Sequence, residues 1–81
     1  MRMLKNSDIT AKFGWKSPTS PYNAINDGVL TKFVKTGARA VGLPDFEVDA
    51  ILAARIAGQT DDQIRELVKH LHAKRADLAT V

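Results

Sequence analysis

The chain has 81 residues, 12 basic and 9 acidic side chains, a net charge of +3 and no cysteine. That length allows one domain, which buries only about 60% of its unfolded surface. The lack of cysteine excludes disulfides and thiolate metal sites and fits a reducing cytoplasm.

The charge is unevenly placed. Residues 1–43 carry seven basic and two acidic side chains and residues 44–81 carry five and seven, so the halves stand at +5 and −2. A basic half joined to a mildly acidic one points to an anionic partner on one side. A chance split in a short chain gives the same numbers. The opening MRMLKNSDIT lacks the apolar core of a signal peptide. No apolar run has the length of a membrane span, so a cytoplasmic chain without a membrane partner is expected.

The first expected helix opens near Ser7, whose hydroxyl can accept the free amides of the opening turn, with Asp8 at the positive end. Ile9 and Phe13 share a face, and Gly14 stops it. Next, WKSPTSPYNAINDG holds two prolines three apart, which forbid a helix through Pro18. Pro21 suits the first turn of a second helix, capped by Ser20 and running to about Asn26. Tyr22 and Ile25 are spaced to face the core, and Gly28 closes the helix.

VLTKFV and ARAVGL flank Lys35-Thr36-Gly37 and read as two strands across a tight turn, with Gly42 weakening the second strand. LPDFEVDAILAARIAG reads as a helix: Pro44 and Asp45 start it, Glu47 and Asp49 lie in its first turn, and Gly58 ends it. Its apolar stripe is Val48, Ile51, Leu52 and Ile56. Thr60 and Gln63 then form a capping box. Ile64, Leu67, Val68 and Leu71 follow at helical spacing to about residue 75, and ADLATV reads as a frayed tail. The expected fold is mainly α with a small β-hairpin: a single domain with a helix-turn-helix over 1–28, a wing over 29–43 and two C-terminal helices over 44–75, a winged helix-turn-helix order.

GVLTKFVKTGARAVGLPDFEVDAILAARIAG resembles the AlpA-type phage regulators, which group with excisionase-like and MerR-like winged helix-turn-helix proteins. The residues that carry the resemblance are Tyr22 and Gly28, then Gly37, Arg39, Ala40, Val41 and Gly42, then Glu47, Val48, Arg55, Ile56 and Ala57. DDQIRELVKHLHAKR looks like the C-terminal extension of some members. The chain departs from the pattern at Leu30-Thr31, where Phe-Pro is frequent, at Leu43, where Trp is frequent, and in the two prolines between Gly14 and Tyr22. The resemblance implies a sequence-specific DNA-binding protein that regulates phage or mobile-element transcription or directs excision. It also implies double-stranded DNA as partner, together with an integrase and further copies of the chain.

Such a protein needs short polar side chains near the start of its recognition helix, and Lys16, Ser17, Thr19, Ser20, Asn23 and Asn26 supply them. Asn matches the donor–acceptor edge of adenine, and Ser or Thr can hold phosphate. The same residues also do ordinary turn chemistry. Tyr22 can offer its hydroxyl to phosphate or pack wholly in the core. Lys32, Lys35 and Arg39 can line the hairpin with positive charge facing DNA. Arg39 can instead pair with Glu47 or Asp49.

His70 and His72 lie two apart on a helix, facing different sides, and read as solvated surface residues rather than metal ligands. Trp15 reads either as a wedge against DNA or as core beneath the turn. No nucleophile–base set, phosphate loop or paired-carboxylate pocket stands out, so neither an enzyme nor a cofactor or small-molecule substrate is expected. The alternative function is a protein-interaction module that docks a partner or dimerises through the amphipathic helix at 61–75.

Overall fold

The computed structural model describes residues 2–78. Four helices surround a small antiparallel sheet in the order β1 (Met3–Leu4), α1 (Asn6–Phe13), α2 (Ser20–Asn26), β2 (Val34–Lys35), β3 (Val41–Pro44), α3 (Asp45–Ile56) and α4 (Asp61–Leu78). The fold is thus mainly α. The sheet has three strands rather than the two expected, with β3 between β1 and β2.

β1 is the strand that sequence periodicity missed. It pairs Met3 with Pro44 and Leu4 with Leu43, and the Asp45 amide extends the ladder to the Arg2 carbonyl. Gly42 makes this possible, because a Cβ there would lie 2.8 Å from the Leu4 carbonyl oxygen. The glycine expected to weaken the strand is therefore what admits a third one.

Because Leu4 belongs to a strand, the chain turns into α1 at once. The N-cap is Lys5, in extended conformation and without a side-chain cap, so Ser7 lies inside the first turn rather than capping it. α1, α2 and α3 are each followed by a glycine with positive φ, Gly14, Gly28 and Gly58, as the sequence indicates. A side chain is disfavoured in that conformation, and the next amide folds back onto the last helical turn.

The N-cap of α2 is Thr19 rather than Ser20, with Pro21 in the first turn. Its core face is also rotated from the expected one. Pro21 and Ala24 are buried, Ile25 is half-buried, and Tyr22 is 49% exposed. Small Ala24 lets the short helix sit close to the core, and the large ring points sideways.

The hairpin is shorter than the sequence suggests. Val34 pairs with Gly42 and Lys35 with Val41, and the loop 36–40 is closed by the Thr36 amide on the Ala40 carbonyl at 2.9 Å. Val29, Leu30 and Thr31 are buried without strand pairing. Their apolar character reflects core burial, which a short sequence run cannot distinguish from a strand.

β3 passes into α3 with no intervening loop, and Pro44 is both the last strand residue and the helix N-cap. The buried residues of α3 are Glu47, Val48, Ile51 and Ala54, whereas Ile56 is 80% exposed, contrary to the expected stripe. The face is rotated towards α4, where Arg75 receives Glu47. The capping box of α4 is present: the Thr60 amide donates to Gln63 Oε1 at 2.9 Å and the Gln63 amide to Thr60 Oγ1 at 3.2 Å. Arg55 and Asp61 bridge the α3–α4 turn at 2.7 Å.

Ile64, Val68 and Leu71 of α4 close the core against Leu4, Ile9, Leu30, Leu43, Val48 and Ile51. The helix continues to Leu78, beyond the boundary expected near residue 75, and the rest of the predicted frayed tail, 79–81, lies outside the described residues. No helix among the described residues is long and apolar enough to cross a membrane.

Candidate nucleic-acid interface

The turn between α1 and α2 holds Lys16, Ser17 and Thr19, all exposed. The Ser17 and Thr19 hydroxyls share a hydrogen bond at 2.7 Å, and the Thr19 amide donates to Ser17 Oγ at 3.3 Å. These two hydroxyls therefore organise the turn first, and any phosphate contact would be made by oxygens already oriented. Asn6 Nδ2 donates to the Pro18 carbonyl at 3.1 Å, fastening the turn to the start of α1. Phe13 and Trp15 stack with centroids 4.4 Å apart. Half-buried Trp15 borders a groove of about 490 Å³ with Asn6, Ser7, Thr10 and Lys16.

On α2, Thr19, Tyr22, Asn23 and Asn26 are linked by three- and four-residue steps, so they form one continuous face, and all four are exposed. Ser20 is half-buried beside Pro21 and falls off that face. The helix therefore separates the sequence-predicted set into a solvent-facing patch of four residues and one residue turned towards the core side.

Tyr22 reaches Phe33, with ring centroids 5.1 Å apart and tilted. Neither a purely core role nor free exposure describes it: the ring braces α2 against the foot of the hairpin. Phe33 lies between Lys32 and the first residue of β2, so the contact brings the α2 patch beside the start of the basic stretch. Arg39 sits on the loop 36–40, and its relation to α2 is set through the hairpin rather than by direct contact.

Among the described residues, Lys16, Lys32, Lys35 and Arg39 make no ion pair, and all four are exposed. Lys5, at the start of α1, and Lys74, on α4, are likewise exposed and make no ion pair among the described residues, whereas the remaining cations of the basic half differ. Lys12 pairs with Asp49 at 2.8 Å and Arg2 with Asp8 at 3.8 Å. The acids considered as partners for Arg39 are thus engaged elsewhere, Asp49 by Lys12 and Glu47 by Arg75.

Glu47 is fully buried. Arg75 holds it bidentately, Nε to Oε2 at 2.9 Å and Nη2 to Oε1 at 2.6 Å. Nη2 also donates to the Lys32 carbonyl at 2.8 Å, and the Lys32 amide donates to His72 Nε2 at 3.0 Å. His72 is therefore half-buried and bonded rather than solvated, whereas His70 is exposed. Burial first, then the Arg75 charge, lowers the pKa of His72 below 6.5; Lys32 adds to this and Glu47 opposes it. These groups were not identified as functional from sequence. Glu47 and Arg75 are 28 residues apart, and no local pattern in the sequence links them.

Among the described residues, no group of three or more His, Cys, Asp or Glu side chains could hold a metal ion. No protein-family model matches the chain, and no curated protein or solved structure matches it significantly.

Proposed function

We propose that the chain is a sequence-specific double-stranded DNA-binding protein of the AlpA-like, excisionase-like winged helix-turn-helix kind. It serves as a phage or mobile-element transcriptional regulator or a recombination directionality factor. In this reading α2 is the groove-reading helix, presenting Thr19, Tyr22, Asn23 and Asn26, and the hairpin is the wing. Lys16 holds phosphate before α2, and Lys32, Lys35 and Arg39 hold it along the wing.

The observation that carries the reading is the distribution of unpaired charge. Among the described residues, four of the six exposed lysines and arginines without an ion pair lie on the turn before α2 and along the hairpin, the other two being Lys5 and Lys74. The Tyr22–Phe33 contact ties those two elements together. Of the acidic residues of α3, Glu47 and Asp49 are neutralised within the chain. Partner docking on the apolar stripe of α4 is less well supported, because Ile64, Val68 and Leu71 are already buried in the core.

The test is a mobility-shift titration on duplexes from beside the chain's own gene and from a random pool. With about four phosphates neutralised, affinity is expected to drop about 150-fold between 50 and 200 mM salt. Replacing Lys35 and Arg39 with Ala leaves two of the four cations, and the same change in salt then costs about 12-fold. A flat salt response, or no shift by the wild-type chain on any duplex, defeats the proposal.

A further inference from the structure

One residue between the core and the hairpin, Lys32, has both of its backbone polar groups held. Leu30 and Thr31 are buried on one side of it, and Val34 is paired with Gly42 on the other. Only Lys32 and Phe33 lie between. Both backbone polar groups of Lys32 are held from α4, its N–H by His72 and its C=O by Arg75. Those two side chains are three residues apart and so project from the same side of the helix. Arg75 has little freedom of its own, since the buried Glu47 fixes its guanidinium through two charge-assisted hydrogen bonds. An anchor buried on α3 is thereby transmitted to the start of the hairpin.

We propose that His72 and Arg75 are positioning residues for the wing: by holding the N–H and C=O of Lys32, they set the direction in which residues 34–44 leave the helices. They thereby decide whether Lys35 and Arg39 meet the same duplex as α2. The inference rests on the DNA-binding reading above. It assigns α4 a role in DNA recognition without DNA contact, and it gives the buried Glu47–Arg75 pair a purpose beyond stability. Such a pair is a weak stabiliser relative to well-packed apolar residues, so its presence calls for another reason.

The test uses a duplex selected from a random pool by the wild-type chain, titrated from 50 to 200 mM salt. Variants are compared, each checked by circular dichroism to be folded at the assay temperature. His72→Ala removes the acceptor for the Lys32 amide. His72→Gln supplies an amide oxygen that can accept the same hydrogen bond. The double variant Glu47→Met/Arg75→Met replaces the buried pair with apolar side chains and drops the bond to the Lys32 carbonyl.

His72→Ala and the double variant are expected to lose the wing's share of the salt response, falling from about 150-fold towards about 12-fold although both phosphate-binding residues remain. His72→Gln restores the wild-type response. Adding Lys35→Ala and Arg39→Ala to His72→Ala lowers affinity by no more than about threefold further, because the two changes remove one interaction. His72 is half-exposed, so its variants carry the test even if the double variant does not fold. Folded variants that keep the full salt response, or lose affinity additively with the wing substitutions, overturn the inference alone. A wild-type chain that binds no duplex overturns the DNA-binding reading and this inference with it.

Discussion

Gly42 meets a constraint that no side chain satisfies. The atom a Cβ would strike, at 2.8 Å, is the backbone oxygen of Leu4, which cannot rotate aside as a side chain can. Gly42→Ala is therefore expected to push β1 away from β3 and to cost about 1–3 kcal/mol. Thermal unfolding reads this directly, since each kcal/mol moves the midpoint by about 4–8 °C in a domain this small. Gly37→Ala is the control: its Cβ meets only the Ala40 side chain, at 3.9 Å, and its midpoint should stay near wild type. The sequence showed a glycine in a strand but not which backbone approaches it, because β1 is two residues long and has no period to detect. Glu47 was obscured for a related reason. A carboxylate in the first turn of a helix looks the same in sequence whether it faces water or an arginine 28 residues away.

At the level of elements, legibility followed locality. The capping box of α4 was readable because Thr60 and Gln63 are three residues apart and satisfy each other. Thr60→Ala is expected to destabilise the chain by about 0.5–2 kcal/mol, whereas Thr60→Ser, which keeps the hydroxyl, stays close to wild type. Urea titration measures both. The glycine stops of α1, α2 and α3 were readable for the same reason. Faces and strands were not, since they depend on what packs opposite. α2 turned Ala24 inward and Tyr22 sideways, and α3 turned Glu47 inward and left Ile56 in solvent. The candidate site was partly legible: the cations and asparagines named from sequence are exposed, but the groups that hold Lys32 in place come from a helix some 40 residues later.

The whole molecule measures 33 × 27 × 20 Å along its principal axes. Its longest dimension is close to one turn of B-form DNA, about 34–36 Å, so in the proposed reading one copy engages about one turn and longer sites call for several copies. Its stability should also respond to acid through one side chain. The folded protein holds His72 below its ordinary pKa of 6.5, so the unfolded chain takes up that proton first. The His72 contribution is complete above pH 6.5, declines as pH falls through that value, and levels off below the lower pKa of the folded state. Thermal midpoints recorded across this window should fall with acid in the wild type, and His72→Gln should remove that component. The junction at Pro44 has a mechanical corollary. With strand and helix fused there and Lys32 clamped on the other arm, the hairpin has no slack at either root, and only its tip is free to adjust. In the proposed DNA-binding reading, a fork held at both roots and the short α2 helix meet one duplex together, and the strain of fitting them is expected to fall on the nucleic acid as curvature.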